Sequence, residues 1–321
     1  MSRVEEWLTG ARAGRIGATA RLLSLVENDE PEGADVLRAT FRETGRAVKI
    51  GLTGPPGAGK STLVSALTAA YRRTVPRVAV VAVDPSSPYT GGAILGDRIR
   101  MRERYLDTGV FIRSMANRGV PGGLARATRR VVSVLDAIGF DVILVETAGV
   151  GQQEIDVVSV VDTVCLLTLP GAGDDIQAIK AGIIEIADIL VVNKGDRPGA
   201  DEAVKDLLQM LKLGHPRTDW RPPVVKTSAS NGDGIDDLMT AVAKHRDWAI
   251  RCGEAERRAA DAMRAEIQEL MRDRVLRDLA HRLDSPSLES VVSRVVSREI
   301  DPYGAADLLL EATGWHRGRP T

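Results

Sequence analysis

The spacing of hydrophobic residues changes twice along the chain and divides it into three parts. Residues 3 to about 45 place Trp7, Leu8, Ile16, Leu22, Leu23 and Val26 at helical intervals. The polar run Asn28-Asp29-Glu30-Pro31-Glu32-Gly33 interrupts them as a loop, and a second helix is predicted from Ala34 to about Arg46. From Val48 to about Val242 short, nearly continuous Val/Ile/Leu runs predict strands at 48–53, 77–83, 110–113, 141–146, 163–168, 189–193 and 224–227. Between them, 122–137, 177–187, 201–213 and 235–245 suit crossover helices. Strands with no polar face are expected where helices cover both sides of a parallel sheet. The prediction is a doubly wound, mostly parallel α/β sheet whose ligands gather at the carboxyl ends of its strands.

Beyond about Arg251 the composition shifts to Arg, Glu, Asp and Ala. Met263, Ile267, Leu270, Met271, Val275, Leu279 and Leu283 recur there at helical spacing on an otherwise charged segment. Ser285-Pro286-Ser287 punctuates it, and two shorter helices follow at 288–298 and 302–312. Such a stripe packs either on its own domain or on a second subunit, and both readings stand because the sheet is complete before it begins. The end of the chain, with Arg317, Gly318 and Pro320, is expected to fray. The expected organisation is a helical arm at 1–46, an α/β domain at 47–250 and a second helical arm at 251–321.

Composition removes several function classes. The formal net charge of the 321 residues is −1, so no global field draws the chain to nucleic acid or an anionic membrane. Its two cysteines, Cys165 and Cys252, lack metal-ligand spacing, and Cys165 sits inside an apolar run where a small buried residue is expected. His215, His245, His281 and His316 are scattered. No apolar run reaches membrane-spanning length and residues 1–6 open no signal peptide, so a cytoplasmic protein is expected.

Chemistry enters at Gly54-Pro55-Pro56-Gly57-Ala58-Gly59-Lys60-Ser61, followed by Thr62, which fits G-x-x-x-x-G-K-[ST] between a predicted strand and a predicted helix. A plain glycine-rich turn would share the composition, but the motif positions and both flanking elements agree on a phosphate cradle. Glycines let successive N–H groups face inward at a helix N-terminus. Lys60 can then reach the outer phosphates, and Ser61 can ligate Mg²⁺.

Asn193-Lys194-Gly195-Asp196 closes another strand, where a base-recognition loop belongs. A carboxylate at Asp196 can accept from N1–H and the 2-amino group of guanine, and adenine offers neither donor. The Lys194 stem can lie along the base and Asn193 can tether neighbouring loops. Ser228 and Ala229 follow the last strand, where the Ala229 N–H could meet the guanine O6.

Glu146-Thr147-Ala148-Gly149 ends a strand. Its carboxylate can hold Mg²⁺ through water, and Gly149 can offer an N–H to the γ-phosphate. Asp84 ends the second strand as part of Asp84-Pro85, an ordinary turn starter that could also join the metal shell or position water. Asp97 is an N-cap, a Mg²⁺ partner, or both.

Taken together, these stretches resemble the MeaB/ArgK-type P-loop GTPases of the SIMIBI class, chaperones of adenosylcobalamin-dependent methylmalonyl-CoA mutase. The resemblance runs through residues 51–62, 83–87, 91–97, 111–115, 146–154, 170–180 and 193–196. It departs at Ala148, where Val is usual, and at Gln153, where Ser is usual; neither change removes a liganding group. The resemblance implies a P-loop NTPase fold, GTP and GDP as ligands with Mg²⁺, and a homodimer through the C-terminal helices. It also implies a switch at 170–180 facing methylmalonyl-CoA mutase or a related acyl-CoA mutase. The catalytic residues expected are Lys60, Asp84 and Glu146, and the expected metal shell is Ser61, Asp84, Asp97 and Glu146. No water-positioning group stands out, although Gln152 and Gln153 follow Gly149, so slow turnover accelerated by a partner is expected. Two rivals remain: a kinase of a transport-associated (lysine/arginine/ornithine) periplasmic binding protein and a metallochaperone GTPase.

Overall fold

A computed structural model describes residues 2–84, 107–116, 123–147, 159–171, 184–213, 218–283 and 285–315. The chain divides into two compact units, Met1–Arg258 and Ala259–Thr321.

The first unit opens with α1 (Arg3–Arg12), α2 (Ile16–Glu27) and α3 (Pro31–Thr40). Ser2 caps α1 reciprocally with Glu5, each side chain bonding the other's backbone N–H. Gly14, left-handed at φ 83°, separates α1 from α2, where one helix was expected. Pro31 occupies the first turn of α3, so the helix starts inside the segment expected to be loop.

Then follow β1 (Val48–Thr53), α4 (Lys60–Arg72), β2 (Val78–Asp84), β3 (Val110–Ala116), α5 (Gly123–Ala137), β4 (Val142–Thr147), β5 (Thr163–Thr168) and β6 (Ile189–Val192). The unit continues with α6 (Ala200–Leu213), β7 (Val224–Lys226) and α7 (Ile235–Arg251). The seven strands form one parallel sheet in the order β3-β2-β4-β1-β5-β6-β7. Strand order reverses at the central β1, the position where open α/β sheets bind ligands.

Alternate residues of the buried strands feed opposite cores. Ile50, Leu52, Leu144, Cys165 and Val191 pack under α4 and α7, while Val81, Val145 and Val164 pack under α5 and the N-terminal helices. Leu166, Leu190 and Val192 pack under α6. The N-terminal helices therefore share the core of the sheet. Arg113 on β3 bonds Glu27 and Ser24 of α2. The buried Asp136 carboxylate accepts the amides of Gly45, Arg46 and Ala47 at 2.7–3.0 Å and pairs with Lys49.

The helix α8 (Glu254–Arg282) begins at the end of the first unit. The second unit holds its remaining turns with α9 (Ser285–Val296) and α10 (Pro302–Ala312). Asp301 caps α10 by accepting from Tyr303 N and Gly304 N, with Pro302 at the first helical position. Ser285 and Pro286 start α9, where punctuation was expected.

Candidate active site

The loop Gly54–Gly59 leaves the carboxyl end of β1 and runs into the N-terminus of α4. Gly54, Gly57 and Gly59 have φ of 141°, 81° and 85°, which side chains rarely adopt. Two of them are also pressed by neighbours. A Cβ on Gly54 would stand 2.3 Å from Leu167 O of β5, and one on Gly59 would stand 2.5 Å from Asn193 Nδ2. The loop can lie this close to β5 and the Asn193 loop only because it carries no side chains there.

Lys60 is 7% exposed, and its ammonium donates to Gly54 O at 2.8 Å and Pro55 O at 3.1 Å, inside the curl of the loop. Ser61 is buried, and its hydroxyl donates to Glu146 Oε1 at the end of β4, 2.7 Å away. Thr62 is exposed on the first turn of α4. Next to Glu146, Thr147 Oγ1 donates to Thr53 Oγ1 at 3.0 Å and ties the ends of β4 and β1. Two hard oxygen donors, a hydroxyl and a carboxylate, thus meet where the phosphate loop enters its helix. That donor set suits Mg²⁺, and a serine hydroxyl that donates a proton keeps lone pairs for a cation.

On the other side of the loop, Asn193 is 2% exposed and holds two loops at once. Its Nδ2 donates to Ala58 O at 2.8 Å, while Oδ1 accepts from Thr227 Oγ1 at 3.1 Å and Ala229 N at 3.2 Å. The tethering expected of Asn193 is present. The Ala229 N–H expected for a base carbonyl instead faces Asn193 Oδ1. Lys194 has φ 58°, and Gly195 N donates to Thr227 O at 2.8 Å. Asp196 is exposed, and Ser228 Oγ donates to its Oδ1 at 2.7 Å. That hydroxyl, followed by Asp196's own amide, holds the carboxyl below the usual range.

Asp84 ends β2, and its side chain lies outside the described residues, as do Asp97, Gly149, Gln152, Gln153 and most of 170–180. Lys60, Ser61 and Glu146 are brought together, and Asn193, Asp196, Ser228 and Ala229 form a second group beside them. Sequence reasoning missed the cluster of buried Asp188 and His245 with part-buried Arg258 at the opposite end of β6. Its only sequence signal was an acid directly before an apolar strand.

A glycine loop joining a central parallel strand to a helix, with a strand-end acid on its serine and an Asn-Lys-x-Asp loop beside it, defines a P-loop nucleoside-triphosphate-binding protein. The chain belongs to the family described as Methylmalonyl Co-A mutase-associated GTPase MeaB, which matches residues 19–284. It is a GTPase. It is 46% identical over 311 residues to a putative GTPase of Pyrococcus abyssi, covering 96% of each chain. With the mitochondrial methylmalonic aciduria type A homolog of Mus musculus it shares 34% over 331 residues, covering 96% of this chain and 79% of the relative. The crystal structure of a protein named LAO/AO transport system kinase superposes with a TM-score of 0.71 at 26% identity, covering 97% of this chain and 98% of that one. Among the described residues no helix is long and apolar enough to cross a membrane.

Proposed function

We propose that this GTPase binds GTP with Mg²⁺ on Gly54–Thr62, hydrolyses it to GDP, and uses the cycle to gate cofactor loading of an adenosylcobalamin-dependent methylmalonyl-CoA mutase or related acyl-CoA mutase. The observation that carries the nucleotide chemistry is the junction of Lys60, Ser61 and Glu146 at the mouth of α4. Support for the partner comes from the family description and the mouse relative's name.

The chain's own residues act mainly by positioning. The loop amides and the N-terminus of α4 receive phosphate oxygens. Lys60 exchanges the Gly54 and Pro55 carbonyls for the β- and γ-phosphates, so its charge is already inside the cradle when the ligand arrives. Ser61 and Glu146, with Asp84 and Asp97, would hold Mg²⁺, which would supply neutralisation of the phosphate charge. Asp196 accepts from N1–H and the 2-amino group of guanine, with Lys194 along the base and Ser228 fixing the carboxylate. Ala229 contributes by orienting Asn193. Gly149 offers its amide to the γ-phosphate. The protein acts in the cytoplasm, where a reducing environment keeps the exposed thiol of Cys252 reduced. Exposed apolar residues on α8 support a homodimer through the C-terminal helices.

The test is a pull-down from the protein's own cell extract with a non-hydrolysable GTP analogue and with GDP, followed by turnover with the captured mutase. Nucleotide-dependent capture and faster hydrolysis are expected. Equal capture in both states with unchanged turnover would overturn the gating role. The transport kinase reading draws on the name of the solved neighbour. Transfer of labelled γ-phosphate to a protein acceptor would favour it.

A further inference from the structure

Asp188 stands immediately before β6, at the end of the sheet away from the nucleotide loops, and is 4% exposed. Its carboxylate receives Arg258 of α8 bidentately, with Nη2 at 2.8 Å from Oδ1 and Nη1 at 3.0 Å from Oδ2. The amide of Val164, on β5, donates to Oδ2 at 2.8 Å, and His245 Nε2 of α7 lies 3.2 Å from Oδ1. Trp220 donates its indole N–H to the Asp188 carbonyl at 2.8 Å. Glu254 Oε1 holds Arg258 Nε at 2.9 Å, so the guanidinium fork cannot turn away. Burial works against charge on Asp188, but His245 and Arg258 outweigh it and hold the carboxyl below its ordinary range.

The same strand carries the base loop at its other end. β6 has four residues, all 2% exposed or less, hydrogen-bonded in parallel to β5 on one side and β7 on the other. At about 3.3 Å per residue it spans roughly 13 Å. So short a strand, hydrogen-bonded on both sides, is a direct link between Asp188 and the loop that begins at Asn193. At its carboxyl end Asn193 grips Ala58 of the phosphate loop, and Asp196 follows three residues later.

We propose that the Asp188–Arg258 pair is a positioning device for guanine specificity. With His245 of α7 it fixes the amino end of β6 against α7 and the amino-terminal part of α8, and β6 in turn fixes where the Asp196 carboxylate meets the base. Hydrogen bonds weaken steeply with misalignment, so a small shift of the strand costs the 2-amino contact before it costs phosphate binding. The inference rests on the reading of Asp196 as the guanine acceptor.

The test compares GTP with inosine triphosphate, which keeps N1–H and O6 and lacks only the 2-amino group. The native protein is expected to favour GTP in kcat/KM by about ten-fold or more, the worth of one charge-assisted hydrogen bond. Arg258→Met should lower that ratio several-fold, chiefly through the GTP value, and Arg258→Lys should recover part of it. A native protein that does not distinguish the two nucleotides would remove the Asp196 reading itself. Native discrimination with an unchanged ratio in a folded Arg258→Met would leave the pair a merely structural clamp and overturn the inference. Should the variant fail to fold, hydrogen exchange on the unaltered protein decides. Because coupling is reciprocal, GDP should slow exchange more than inosine diphosphate at residues 189–192 and 254–258. Equal protection by the two overturns the proposal.

Discussion

Asp196 and Asp136 are both carboxylates with lowered pKa, and the difference in their surroundings separates a ligand-reading group from a structural one. Asp196 is exposed and held by a hydroxyl from the neighbouring loop. Replacing it with Asn swaps an acceptor for a donor: GTP affinity should fall by about 10–100-fold, while xanthosine triphosphate, with a carbonyl at C2, should gain. Competition binding with the two nucleotides checks this, and an unchanged preference would remove the residue from base recognition. Asp136 is buried, and burial alone raises its pKa. Lys49 and the amides of Ala47 and Gly45 outweigh that, so the folded value lies below the unfolded one. Its stabilising contribution is complete above the unfolded carboxyl pKa, near 3.9, and is lost as pH falls from there through the folded value. Asp136→Asn should therefore destabilise the protein at pH 7 by about 2–4 kcal/mol and should flatten the loss of stability below about pH 4. Urea melts across pH 3–7 measure both; a variant with native stability at pH 7 would mean that the amides are satisfied without the charge.

At the scale of elements, fully buried parallel strands announce themselves, because neither face needs a polar residue. β1 and β5 lie where their apolar runs predict, and α10 spans Pro302–Ala312 as its spacing implies. The phosphate loop was equally legible, since its glycines, Lys60 and Ser61 are adjacent in sequence. Other features hid for physical reasons. The α1–α2 break is carried by the left-handed Gly14, within Ala11-Arg12-Ala13-Gly14-Arg15-Ile16, a stretch otherwise compatible with helix. Asp188 and Arg258 are 70 residues apart, and Gly45 and Asp136 are 91 apart, so no local pattern links them. Gly33 illustrates the same limit. It reads as a loop residue, yet it lies inside α3 at the crossing with α2, where a Cβ would stand 2.6 Å from Leu25 O. Gly33→Ala would gain about 1 kcal/mol of helix propensity, but neither helix backbone can yield easily, so a net loss of about 1–3 kcal/mol is expected. Thermal melts should show this loss while GDP affinity stays native, because α2 and α3 contribute nothing to the phosphate or base loops. A stabilised variant would show that the α2–α3 crossing relaxes freely.

For the whole molecule, the second unit carries an exposed apolar seam. Along α8, Met263, Ile267, Leu270, Met271 and Val275 are 38%, 56%, 41%, 63% and 50% exposed, and their spacing places them on one side of the helix. Acidic and basic residues such as Glu269, Arg272 and Arg274 interleave with them, so the segment has no charge bias that selects a strongly charged partner. A mixed-charge helix with one apolar seam suits its own copy, which brings an identical seam and both signs of charge to a two-fold contact. Replacing Ile267 and Met271 with Glu would place two carboxylates per chain in such a contact, where repulsion and desolvation oppose association. Sedimentation velocity should show a native dimer and a monomeric double variant. Every residue proposed to touch nucleotide lies in the first unit, so turnover per chain at saturating GTP should stay within about two-fold. A double variant that remains dimeric would place the subunit contact elsewhere. A monomer that binds GTP normally but loses stimulation by the mutase would show that the dimer is the form the mutase recognises.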